Sequence, residues 1–139
     1  MSEISVDIVS AEGHIFSGSA QMVFAPAVEG DVGIAPRHAP LLTRMRPGEV
    51  RVRDERGEDA WYYVSGGILE VQPEKVTVLA DTALRAKDMD EAAARQAKER
   101  AEERLAQQES NADLSRVQAE LAEAAAKLQM LEKLRRQRR

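Results

Sequence analysis

The sequence has no cysteine, few aromatic residues and no long apolar run, and each shortage removes a class of protein. Without cysteine there is neither a disulfide framework nor a thiolate metal site, and the absence also fits a reducing compartment. Nowhere does the chain approach the roughly 20 apolar residues that span a bilayer. Met1-Ser2-Glu3-Ile4 lacks the basic start and apolar stretch of a secretory signal, so a soluble, cytosolic protein is expected. Aromatics make up only 4%, and much of the 43% apolar share is alanine crowded into the last third, so the sizeable core is expected earlier in the chain. A chain of 139 residues holds one medium domain or a small domain with an appendage, not a large multidomain enzyme.

Catalytic patterns are missing too. His14 and His38 stand 24 residues apart without an HExxH pair, so no metal site is expected. Ser65-Gly66-Gly67 is not the GxSxG nucleophile elbow, and no glycine-rich phosphate loop is followed by lysine. The reading is of a protein that is not an enzyme and has no active site of its own.

What is present divides into two parts, a β + α arrangement. From Ile4 to about Ala83 apolar residues recur at intervals of two, as in Ile4-Val6-Ile8, Val50-Val52 and Val76-Val78, the period of strands with one buried face. Turn signals fall at Pro47-Gly48, Asp54-Glu55-Arg56-Gly57, Ser65-Gly66-Gly67 and Pro73-Glu74. Residues 1–86 are therefore expected to form an N-terminal antiparallel β-sandwich. From residue 88 onward there is no Gly or Pro, and residues 87–139 are expected to form a C-terminal antiparallel two-helix hairpin, with helices about 89–107 and 112–135.

Asp88 with Glu91 three residues on reads as a capping box, and Ser110 or Asn111 as the cap of the second helix. Met89, Ala93, Ala97, Ala101 and Leu105 are expected to face Leu114, Val117, Leu121, Ala124, Leu128 and Leu131. The first seam is mostly alanine, so it buries little area, and the hairpin is expected to lean on the sandwich or on a partner and to be exchanged between them. Charge is uneven: residues 1–126 carry 14 basic and 23 acidic groups, whereas 127–139 carry six basic groups against Glu132. The C-terminal tip, with Lys133, Arg135, Arg136, Arg138 and Arg139, reads as a positive probe on an acidic body.

Three segments, Glu29-Gly30-Asp31-Val32-Gly33-Ile34-Ala35-Pro36-Arg37-His38-Ala39-Pro40-Leu41, Val64-Ser65-Gly66-Gly67-Ile68-Leu69-Glu70-Val71 and Val76-Thr77-Val78-Leu79-Ala80-Asp81, resemble the epsilon subunit family of bacterial F-type ATP synthases. The resemblance covers the whole chain, and it departs at Arg37, where the family commonly has Gly. It implies a non-catalytic rotor subunit of the central stalk that couples rotation to the proton-driven ring and restrains ATP hydrolysis through its helices. The implied partners are the gamma subunit near His38, the membrane c-ring at the Glu29-Gly30-Asp31 tip, and the alpha and beta subunits in an extended state, where the basic tip meets an acidic segment of beta. The implied location is the cytoplasmic face of the bacterial inner membrane, peripheral and without insertion. From residues alone, the Glu29–Leu41 segment is equally a shaped loop in which Gly30 and Gly33 allow unusual backbone and Pro36 and Pro40 stiffen the flanks of His38.

Some family members resemble ATP sensors with an Ile/Leu-Asp-x-x-Arg-Ala motif. Here Met89-Asp90-Glu91-Ala92-Ala93-Ala94 puts Ala93 where that arginine belongs, and Glu123 stands where a basic residue is usual. Asp90, Arg100 and Lys127 remain as residual nucleotide candidates, and ATP binding is expected to be weak or absent, with no other cofactor. Two competing classes use the same helices: a coiled-coil scaffold that self-associates through Leu114 to Leu131, and a basic-tailed nucleic-acid module. The second is disfavoured because no aromatics interleave the basic tip and the rest of the chain repels phosphate.

Overall fold

The computed structural model describes residues 3–107 and 111–137. Two compact units, Met1–Lys87 and Asp88–Arg139, divide the chain. In the first, ten strands follow one another: β1 (Ile4–Ser10), β2 (Gly13–Ala20), β3 (Met22–Ala27), β4 (Gly30–Ile34), β5 (Leu41–Met45), β6 (Gly48–Arg53), β7 (Asp59–Val64), β8 (Gly67–Val71), β9 (Lys75–Ala80) and β10 (Ala83–Arg85). The alternation read from the sequence is the burial pattern: Ile4, Val6, Ile8, Val50, Val52, Val76 and Val78 are all buried and belong to one core. β7 differs, since Trp61, Tyr62, Tyr63 and Val64 are buried in succession and both of its faces are covered.

Neighbouring strands run in the order β10-β7-β6-β3-β5-β8-β9-β1-β2, with β4 paired to β3. Within the otherwise antiparallel sandwich one pairing is parallel, that of β1 and β9, with Val6 opposite Val76 and Ile8 opposite Val78. A parallel pair needs a long connection, and the strands between β1 and β9 supply it. The two ends of the order meet, because the Arg85 guanidinium on β10 donates to the Ile15 carbonyl on β2 at 2.6 Å. Sheet ends that close on each other leave less unpaired edge exposed.

Turn chemistry explains the joints. Asp54 Oδ1 accepts from the amides of Arg56 (2.8 Å) and Glu58 (3.0 Å), and Gly57 takes φ +80°, closing the β6–β7 hairpin. Gly66 and Gly67 have φ of +126° and +128°, and a Cβ on Gly67 would lie 2.1 Å from the Leu79 carbonyl oxygen. No other residue type fits at Gly67.

A short 3-10 turn, Ala86–Asp88, precedes the helices α1 (Glu91–Gln107) and α2 (Asn111–Gln137). The cap of α1 is Asp90, not Asp88: its carboxylate accepts from the Ala93 amide at 3.0 Å, and its carbonyl takes the first helical bond, from Ala94. Asp88 is used up in the 3-10 turn, two residues too early to reach those amides. Ser110 lies outside the described residues.

The α1 seam is also shifted. Ala94 and Ala101 are buried, Ala97 and Leu105 half-buried, and Ala93 exposed. A strict interval of four drifts by about 40° per step on a helix of 3.6 residues per turn, so the seam must include a step of three. On α2, Val117 and Ala124 are buried with Leu114, Leu121, Leu128 and Leu131 half-buried, as the alternating spacing requires; Ala126 and Met130, on the other side of the helix, are buried as well. Ion pairs join the two helices near both ends of the hairpin, Arg104 with Glu120 at 3.1 Å and Arg135 with Glu91 at 2.6 Å, which sets an antiparallel register.

Candidate functional site

The segment 29–41 is not one loop. It is strand β4 with a turn at each end, and the two candidate contacts it carries are separated by that strand, about 15 Å at 3.3 Å per residue. At one end Val28 and Glu29 form a two-residue turn between Ala27 and Gly30, whose φ is +138°. Val28, Glu29, Gly30 and Asp31 are all exposed. Beneath this tip Arg46 donates to the Ala27 carbonyl at 2.6 Å and pairs with Asp31. The tip is therefore an exposed apolar side chain flanked by one acid, Glu29, and one acid already matched to arginine. Gly33 lies in β4 without a positive φ, and a Cβ there would meet Phe24 and Met22 at 3.4 Å, an ordinary van der Waals contact, so the unusual backbone expected of it is not used.

At the other end of β4, the Arg37 amide donates to Pro73 at 2.8 Å and the His38 amide to Ala35 at 3.2 Å. Arg37 is held at φ +68°, in the left-handed region. His38 is half-buried, and its Nδ1 lies 2.7 Å from the Ala39 carbonyl. A carbonyl only accepts, so Nδ1 carries the hydrogen and Nε2 is the acceptor of the neutral ring.

A third surface had no counterpart among the sequence candidates. Leu42 on β5, Ile68 on β8 and Leu79 on β9 are 70%, 43% and 46% exposed. Ile68 is directly opposite Leu79, and Leu42 lies two residues along β5 from Arg44, the partner of Ile68. The three share one outward face of three neighbouring strands. A signal existed in the adjacent pairs Leu41-Leu42 and Ile68-Leu69: two successive apolar residues cannot both point into the core of a strand.

In the hairpin, a shallow depression at the start of α1 is lined by Met89, Asp90, Glu91, Ala92 and Arg95. Of the nucleotide candidates only Asp90 lines it, and its carboxylate is occupied as the helix cap. Arg100 lies ten residues farther along the helix, about 15 Å at 1.5 Å per residue, with its Nε directed to the Gln96 carbonyl at 3.4 Å. Lys127 does not line the depression, so the structure does not gather the three candidates. Among the described residues no group of three or more His, Cys, Asp or Glu side chains is placed to hold a metal.

The basic tip is engaged rather than a bare probe. Arg135 donates to Glu91 and Arg136 to Glu132, each at 2.6 Å. The Arg135 hydrogen bond, with help from Arg95, holds the Glu91 carboxyl below the usual glutamate range; Arg136 does the same for Glu132. Lys133 is exposed, and Arg138 and Arg139 lie outside the described residues.

Both halves of the chain carry the marks of a single class, a β-sandwich joined to paired helices. Residues 3–86 match the family described as ATP synthase, Delta/Epsilon chain, beta-sandwich domain, and residues 87–132 match the ATP synthase, Delta/Epsilon chain, long alpha-helix domain. The chain is similar to the ATP synthase epsilon chain of Alkalilimnicola ehrlichii, 69% identical over 136 residues that cover 98% of this chain and 97% of the relative. It is similar also to the ATP synthase epsilon chain of Halorhodospira halophila, at 65% identity over 136 residues, 97% of this chain and 96% of that one. In fold it is similar to a chain in the cryo-EM structure of the Euglena gracilis mitochondrial ATP synthase (OSCP, F1 and c-ring), with a TM-score of 0.74 at 19% identity, covering 100% of this chain and 83% of that chain. The chain belongs to the ATP synthase delta/epsilon family, as an epsilon subunit of the bacterial F-type enzyme. That subunit is not the catalytic one. No helix among its described residues is long and apolar enough to cross a membrane.

Proposed function

We propose that this epsilon subunit is part of the central stalk, docks on gamma through the Leu42–Ile68–Leu79 face and the neighbourhood of His38, and meets the c-ring through the Val28–Asp31 tip. Its helices restrain ATP hydrolysis when they extend toward alpha and beta, with the basic end against an acidic segment of beta. It works at the cytoplasmic face of the inner membrane, as a peripheral component. The observation that carries the docking reading is the exposed apolar face: three large aliphatic side chains in register on neighbouring strands fit burial by a partner better than permanent contact with water. Glu29 and Asp31 at an exposed turn suit a polar loop of the ring, and Val28 adds an apolar contact at the same point.

A nucleotide has little to hold it here. Ala93 brings no guanidinium, Arg95 in the same depression is already paired with Glu91, and Asp90 is committed to the helix end. Weak or absent ATP binding follows.

Co-purification tests the docking. A tagged wild-type chain is expected to bring gamma and the catalytic hexamer from cells, and Leu42→Asp with Ile68→Asp to lose most of that capture while circular dichroism stays unchanged. Undiminished capture by the doubly charged variant contradicts docking through this face.

A further inference from the structure

Glu91 sits in the first turn of α1 and its two carboxylate oxygens are divided between two guanidinium groups: Oε1 accepts from Arg95 at 2.8 Å and Oε2 from Arg135 at 2.6 Å. Arg95 is four residues on along the same helix, so it orients the carboxylate across the groove toward α2. Arg135 is thus matched within the chain by a carboxylate that an acidic partner would have to replace. Both members are reachable from solvent, with side-chain exposures of 54% for Arg135 and 37% for Glu91, so the pair exchanges readily. The neighbouring acid on α2, Glu132, is held by Arg136 and leaves Arg135 to Glu91. Lys98, Glu99 and Glu102 line the same groove and leave its charge nearly balanced.

We propose that Glu91 is an internal competitor for the acidic segment that the tail engages: a stand-in carboxylate that occupies Arg135 while the hairpin is closed and must release it before the tail restrains hydrolysis. The proposal rests on the reading that the C-terminal helices are the restraint, and it adds the residue that sets how readily they are released. The alanine seam strengthens the point. Ala94 and Ala101 offer only small surfaces to Val117 and the half-buried leucines of α2, so a polar clasp at the open end adds to what keeps the helices together there.

Two measurements test it. The chain has no cysteine, so Gln96→Cys and Gln129→Cys, both exposed, place a spin-label pair across the open end of the hairpin in the full chain. Glu91→Gln and Arg135→Gln are each expected to raise the fraction of separated helices about two- to fivefold, and the double variant to add little beyond either. Additive effects, or an unchanged distance distribution in Glu91→Gln, overturn the clasp. In the assembled enzyme the two substitutions are expected to act in opposite directions: Glu91→Gln slows ATP hydrolysis by freeing Arg135, and Arg135→Gln speeds it by removing the group that engages the partner. A change of the same sign in both shows a merely structural role and overturns the exchange. Truncation before Lys127 separates this proposal from its premise. If truncation speeds hydrolysis while Glu91→Gln does nothing, the restraint stands and the exchange is wrong. If truncation changes nothing, the restraint falls and takes the exchange with it, whatever the spin labels report.

Discussion

Arg37 occupies a backbone conformation, φ +68°, that an L-residue with a side chain adopts at a cost of roughly 1–2 kcal/mol. The hydrogen bond its amide donates to the Pro73 carbonyl keeps it there. The position was legible as a departure from the glycine usual in the family, but not as strain, because φ is set by a contact with a residue 36 positions away. Arg37→Gly relieves the strain and gives back part of the gain as freedom in the unfolded chain, for a net stabilisation of about 0.5–1 kcal/mol. For a sandwich of this size the thermal midpoint is expected to rise by about 2–6 °C, measured by calorimetry. A fall would show that the Arg37 side chain makes a contact worth more than the strain. Gly30 and Gly33 teach the same lesson: they look alike in the motif, yet only Gly30 takes a positive φ, while Gly33 lies in a strand where a Cβ would make ordinary contact with Phe24.

Helix α1 was legible in its type and illegible in its phase. Alanine fills 92, 93, 94, 97 and 101, so nothing in the side chains says which alanine points inward, and only docking on α2 selects Ala94 over Ala93. The cap was ambiguous for a similar reason, since Asp88 and Asp90 both precede the helix and the 3-10 turn between Ala86 and Asp88 takes the first of them out of reach. Asp90→Ala is expected to cost about 1 kcal/mol of local stability, read as faster hydrogen exchange at the Ala93 and Ala94 amides. Asp88→Ala is expected to leave those amides unchanged, and equal effects of the two would return the cap to Asp88. The strands behaved oppositely to the helix. Their period of two has only two phases, and a valine or isoleucine at every second place chooses between them.

The architecture as a whole, sandwich then hairpin, follows from the change of period and the loss of Gly and Pro after Lys87. The Leu42–Ile68–Leu79 face does not, because its members come from β5, β8 and β9 and meet only through strand pairing. If the helices are the restraint, removing residues from Lys127 onward is expected to raise ATP hydrolysis by the assembled enzyme several-fold while gamma and the hexamer still co-purify; unchanged turnover would deny the helices that role. The parallel pairing of β1 with β9 carries a different consequence, one of timing. β1 finds one of its two neighbours only when residues 75–79 have followed it in synthesis, so the sandwich closes late and through a contact of long sequence separation. The hairpin is built from local contacts and forms faster. Until β9 arrives, β1 has only β2 beside it, and the sheet whose outer face bears Leu42, Ile68 and Leu79 is incomplete. The outer face that bears Leu42, Ile68 and Leu79 is therefore complete only once nearly the whole first unit has been made.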